Sequence, residues 1–152
     1  TNAGIRFLDK LERSKGEEYM FPHVRKAITD AWRRAGVDSV VSLDGIETHD
    51  CFTSTEYMAI DHFGLTPPGQ SWQAIDSGLV EFDGRCPVNA SGGLIGVGHP
   101  VGATGARLLL DAGRQVTGTA GDYQVPGART YGTLNIGGSL GTVVSFVVGL
   151  RD

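Results

Sequence analysis

At 152 residues and 40% hydrophobic content, the chain is long enough for one core, and chains of this size bury roughly 68–70% of their unfolded surface. The formal charge of −4 argues against nucleic acid or an anionic membrane as the main partner, since both call for basic patches. With no run of about 18 apolar residues, no signal-peptide layout and only two cysteines, Cys51 and Cys86, the chain reads as a cytoplasmic protein with reduced thiols; a single disulfide between the two is the minor alternative.

Residues 1–21 are polar, charged and weakly periodic, and read as a partly ordered lead-in to one domain over residues 22–152. Eight of the thirteen Lys and Arg lie between Arg6 and Arg34, which reads as a solvated helix face. From Pro22, Val24, Ala27, Ile28, Ala31, Trp32 and Ala35 recur at helical spacing and Gly36 supplies a stop. "SVVSLDGIETHD" reads as one strand or two short strand pieces. A helix then runs through Tyr57, Ala59, Ile60 and Phe63, with Thr53 or Ser54 as its cap and Gly64 closing it.

The prolines and glycines of "LTPPGQSWQAIDSGLVEFDGRCPVN" indicate loop with a short helical turn, and "PVNASGG" a short strand. A glycine-rich turn leads into a helix from about Gly102 to Ala112. "ARTYGTLN" and "LGTVVSFVVGL" read as two strands joined by "IGGS", the last apolar on both faces like a central strand. The expected fold class is layered α/β, a mixed sheet of about five strands covered by helices. In such sheets the chemistry gathers on loops beyond the strand ends.

The turn "SGGLIGVGHPVGATGAR" could suggest phosphate binding, but its spacing refuses that. A dinucleotide fingerprint would need a small residue where Val101 stands, and a mononucleotide loop would need a lysine, of which none follows Lys26. The glycines and alanines at 102–106 instead allow close backbone approach, and Pro100 stiffens the turn beside His99. An imidazole fixed next to a helix N-terminus, where positive charge is disfavoured, can take a proton from a thiol. The bland reading, a histidine that bonds a backbone carbonyl, stays open at this point. His23 and His62 fall on helices and read as surface or cap residues. Cys86 reads as a passive buried thiol, and His49, Cys51 and His62 lack metal-ligand spacing.

"NASGGLIGVGHPVGATGAR" resembles the C-terminal signature of thiolases, and "HDCF", His49 to Phe52, resembles the variant of the N-E-A-F motif found in sterol-carrier-protein-type thiolases. "LTPPG", "QVPGA" and "NIGGSLGTVV" agree with it. The resemblance implies that His99 activates a nucleophilic thiol and helps form an oxyanion hole, that His49 contributes to the same hole directly or through water, and that Cys51 is the acid/base. Asn135 and Gly137 occupy the place of the family's C-x-G motif, with Asn135 a spectator or hydrogen-bond donor. Asp50 is expected to be buried and orienting, and Phe52 to pack.

The implied function is the C-terminal catalytic half of an acyl-CoA acyltransferase in lipid or steroid side-chain degradation, with a coenzyme A thioester as substrate and no further cofactor. Thiolases carry their nucleophilic cysteine in an N-terminal half, and neither Cys51 nor Cys86 has its surroundings. The expected partners are therefore that half or a second chain, within a homo-oligomer, and the chain by itself is expected to be inactive. The alternatives are a thiolase-like steroid side-chain aldolase, in which tyrosines replace the cysteine chemistry, and a non-catalytic module binding acyl-CoA or a partner.

Overall fold

The computed structural model describes residue 12 and residues 14–150. Helix α1 (Pro22–Ala35) buries Val24, Ile28 and Trp32, one per turn, starts on Pro22 and stops at Gly36, whose φ of 69° is the left-handed cap. A 3₁₀ turn, Val40–Ser42, precedes β1 (Gly45–Thr48), which is buried along its whole length. Helices α2 (Thr53–Phe63), α3 (Ser71–Asp76), α4 (Gly93–Val97) and α5 (Thr104–Thr117) follow, then β2 (Thr130–Gly137) and β3 (Thr142–Gly149).

The sheet order is β1-β2-β3. β1 runs parallel to β2, with Gly45 opposite Tyr131 and Thr48 opposite Leu134, while β3 returns antiparallel, with Thr130 opposite Gly149. Strand alternation sends Ile46 and Leu134 into one cluster with Val24, Ile28, Trp32 and Phe63 of α1 and α2. Tyr131 joins Ala112 and Val116 of α5 in a second cluster on the opposite face. Helices therefore cover the sheet on both sides, and β1 is buried on both its faces.

Several expectations change. Instead of about five strands, the described residues form three, and "PVNASGG" contributes only an isolated bridge between Val88 and Ile46. β3 ends the sheet rather than lying at its centre; its apolar outer residues are covered at Val148 but leave Val144 and Phe146 exposed. α5 starts later and runs five residues further than the glycine pattern suggested, because its apolar stripe continues to Val116 before Gly118 caps it. Neither Thr53 nor Ser54 caps α2: the cap position is Phe52, and the Thr55 hydroxyl serves its backbone instead, accepting from Phe52 N at 3.2 Å. The partly ordered lead-in falls, for residues 1–11 and 13, outside the described residues.

Candidate active site

Because β1 and β2 are parallel, their carboxyl ends share one edge of the sheet, the edge where open α/β folds place their chemistry. β1 delivers His49, Asp50 and Cys51 there, and β2 delivers Asn135, Ile136 and Gly137. The Gly98–Pro100 turn and the start of α5 arrive at the same place. His49, Cys51, His99, Asn135 and Gly137 line one largely apolar cavity of about 860 Å³.

The two imidazoles meet edge to face with ring centroids 4.8 Å apart. His49 Nδ1 lies 2.8 Å from Asn135 Oδ1, which also accepts from Ile136 N at 3.1 Å. An amide oxygen only accepts, so His49 donates from Nδ1 and its Nε2 carries a lone pair. Burial, followed by the Asn135 bond acting the other way, holds His49 below the ordinary imidazole range. A neutral His49 of this tautomer has no proton at Nε2 to offer an oxyanion, and so reaches one only by holding a water.

His99 Nδ1 lies 2.7 Å from the Thr104 hydroxyl, which is also 3.3 Å from the Pro100 carbonyl. With the hydroxyl proton on that carbonyl, the neutral ring donates from Nδ1 and its Nε2 is left to accept a proton. The backbone-carbonyl role left open for His99 is taken by Thr104. The small residues at the α5 start have a use at Gly105: a Cβ there would stand 2.4 Å from the Asn135 Nδ2.

Cys51 is a free, half-buried thiol with its Sγ 3.8 Å from Thr55 Oγ1. Asp50 beside it turns away and caps α4, accepting from Leu94 N at 2.6 Å and from Ile95 N at 3.5 Å. Gly93 is fitted to this carboxylate, since its φ is 59° and a Cβ would fall 2.1 Å from Asp50 Oδ2. The "HDCF" arm and the glycine turn are therefore clasped together one step from His49 and Cys51. Two more ties reinforce the clasp: Asn89 Oδ1 accepts from Thr48 N at 2.7 Å, and Asn89 Nδ2 donates to Glu56 at 2.9 Å. Phe52 was expected to pack but is 70% exposed, because the cap position of α2 points its ring out over the cavity mouth.

Some polar residues around the site gave no signal in the sequence. Glu47 is fully buried on the α5 face, accepts from the Ser91 hydroxyl at 2.6 Å and from Ser91 N at 3.1 Å, and is pushed up to about 7 by burial. The Arg107 guanidinium is also buried, with Nε 3.7 Å from Asp111 Oδ2, close enough for charge attraction and too long for a hydrogen bond. Strand alternation would have put Glu47 on a solvent face; only the presence of α5 above it reverses that. His62, expected at the surface or as a cap residue, is 1% exposed, while His23 on α1 is exposed. Its reversal follows from the residues before α1, which fold over it: its Nε2 accepts from Phe21 N. Cys86 is buried in the α1-side cluster, free, and pushed up to about 12 by burial. No three His, Cys, Asp or Glu side chains among the described residues are grouped to hold a metal, and no described helix is long and apolar enough to cross a membrane.

The family model described as thiolase C-terminal domain-like matches residues 7–150. An acetyl-CoA acetyltransferase of Methanothermobacter thermautotrophicus is 42% identical over 100 residues, covering 66% of this chain and 26% of that protein. Human sterol carrier protein 2 is 37% identical over 122 residues, covering 79% of this chain and 22% of that protein. Among solved structures, the Ltp2-ChsH2(DUF35) aldolase superposes with a TM-score of 0.74 at 21% identity, over 84% of this chain and 32% of that one. The chain thus spans about a quarter of the length of these two curated relatives.

Proposed function

This chain belongs to the thiolase C-terminal domain-like family, and on that premise we propose that it is the C-terminal catalytic half of a sterol-carrier-type thiolase acting on acyl-CoA in lipid or steroid side-chain breakdown. The observation that carries the reading is the meeting of His49, His99, Cys51 and Asn135 on one apolar cavity. A thioester places its polar carbonyl among these groups and its acyl chain along the apolar wall.

In the thiolysis direction, His99 Nε2 takes the proton of the nucleophilic cysteine supplied by an N-terminal half. That thiolate attacks the 3-keto carbon of the acyl-CoA, the carbon–carbon bond breaks, and the electron pair leaves on the acetyl-CoA enolate. Cys51 returns a proton to the enolate carbon and becomes a thiolate. Coenzyme A then attacks the acyl group on the nucleophile, its thiol proton restoring the acid. A water held by His49 Nε2 donates to the enolate oxygen, and its fixed place in a desolvated site makes that bond worth more than in bulk water. The residues need no cofactor for this sequence, since the thioester is itself the substrate.

The exposed apolar side chains beside the site, Phe52 and the 79% exposed Val101 among them, suit coverage by the nucleophile-bearing half or a second chain. The aldolase alternative would draw its acid/base from tyrosine; Tyr131 is buried in the sheet core away from the cavity lining, whereas Tyr57 belongs to that lining, so it is the thiol of Cys51 at the same cavity that favours the thiolase reading. A mixture of this chain with a nucleophile-bearing half is expected to cleave acetoacetyl-CoA, which this chain alone leaves intact. Cys51→Ala in that mixture is expected to abolish turnover and keep acyl-CoA binding. Unchanged turnover in the variant would reduce the chain to a binding module.

A further inference from the structure

The cavity follows a helix. Thr55, Met58 and His62 of α2 all line it, and so do Ser54, Tyr57 and Asp61. Those positions recur at three, four and seven residues, the spacing of a single helical face. The cavity is therefore a trough along the length of α2. At its amino end Thr55 touches Cys51; at its carboxyl end stand Met20 and Phe21, pinned to His62.

We propose that His62 is a positioning residue for substrate length: its imidazole latches Met20 and Phe21 across the far end of the trough, and through that wall limits the acyl chain the site accepts. The proposal rests on the acyl-binding reading of the cavity given above.

The latch is built from several contacts. Nδ1 of His62 is 2.7 Å from the Met58 carbonyl and can only donate to it, so the neutral ring must use Nε2 to accept the Phe21 N–H, 3.1 Å away. The Phe21 ring stacks on the imidazole at 5.8 Å and 28°, and the Tyr19 ring lies against it at 5.5 Å. Arg25 closes the assembly from α1. It donates to the His62 and Phe63 carbonyls at 2.9 and 3.0 Å, and its guanidinium sits 5.0 Å over the Tyr19 ring. The one side-chain acceptor in this assembly is His62 Nε2, which holds the backbone entering α1, and nothing in the acid/base chemistry uses it.

The distance from chemistry to wall follows from helix geometry. Seven residues separate Thr55 from His62, and at 1.5 Å per residue that is about 10 Å. An all-trans chain with carbon–carbon bonds of 1.52 Å advances roughly 1.25 Å per carbon, so about eight carbons fill the trough. Each methylene buried on the way should tighten binding about fourfold, and methylenes beyond the wall should add nothing.

Uncleavable S-alkyl pantetheine thioethers of four to twelve carbons, titrated calorimetrically into this chain, test the proposal. In the unmodified protein affinity should climb about fourfold per carbon and level off near eight. In His62→Ala, and in Met20→Ala, whose side chain is half exposed and removable without disturbing the fold, the climb should continue, with the twelve-carbon ligand bound more than tenfold tighter than in the unmodified protein. His62→Gln, which restores a side-chain acceptor, should return the plateau. A plateau that stays in place in His62→Ala overturns the latch, as does one that stays in Met20→Ala should His62→Ala fail to fold. Loss of the plateau in His62→Gln overturns the acceptor role. No binding at any length overturns the acyl reading of the trough itself, a result distinct from binding with an unmoved plateau.

Discussion

The rings of His49 and His99 stand edge to face, 4.8 Å between centroids, each with its Nδ1 committed to a neighbour, Asn135 for the first and Thr104 for the second. Two imidazoles so close cannot both carry charge cheaply. His49 is held low by burial first, with the charge of His99 adding to it. Replacing His99 with Gln should raise the His49 titration midpoint toward the ordinary imidazole value, and Asn135→Ala should lower it by removing the one hydrogen bond that favours the charged ring. Ring nitrogen shifts followed by NMR across pH 4 to 8 report both; an unchanged midpoint in His99→Gln would break the pairwise account.

The two thiols should separate cleanly in reactivity. Cys51 lines the cavity and is half buried, whereas Cys86 lies in the core and is pushed up to about 12 by burial. Alkylation at pH 8 is expected to modify one thiol per folded chain, at Cys51, and two in denaturant. Peptide mapping that found Cys86 modified first in the native protein would contradict the packing of the α1-side core.

Gly93 and Asp50 should behave as one unit. Gly93→Ala sets a Cβ 2.1 Å from the carboxylate at a φ of 59°, and is expected to cost about 1–3 kcal/mol. Asp50→Ala removes the obstacle and leaves only the backbone penalty, so the double variant should be less destabilised than the sum of the two singles by about 1 kcal/mol or more. Urea melts of the four proteins close the cycle; strict additivity would mean that the clasp does not couple the two arms.

Stability should depend on pH through Glu47. Its value rises from 4.5 unfolded to about 7 folded, so the folded chain holds a proton that the unfolded chain has already lost. The associated stability is fully present below pH 4.5 and lost as pH climbs through 7, a difference on the order of 3 kcal/mol. Buried His49 and His62 act in the opposite sense, since both are lowered by burial and lose stability for the fold as pH falls below 6.5. Glu47→Gln should remove the decline between pH 4.5 and 7 and leave the acid-side loss intact, as measured by denaturant midpoints at half-unit steps.

What the sequence made legible were features that local rules can carry. α1 shows its stripe, its proline and its glycine stop within fifteen residues, and the "GHP" turn shows His99 by its neighbours. Glu47 and His62 were invisible because their burial is imposed from far along the chain, by α5 in one case and by Phe21 in the other. The strand at 142–149 misled for a related reason. Apolar residues on both of its faces follow from helix packing on one side and the cavity on the other, since Val144 lines the trough, and neither demands a central place in the sheet. The rotameric roles of Asn135 and Thr104 were equally out of reach, because a tautomer is fixed by partners that only the tertiary structure brings together.

The eleven residues of α2 join a reactive end and a greasy end on a single rigid rod. Met58 stands between them, about a turn from Thr55 and from His62. On the acyl-binding reading, exchanging residues at the far wall would shift the preferred chain length while the proton-handling groups at the near end stayed untouched, so that appetite and chemistry would be separately heritable along one short helix.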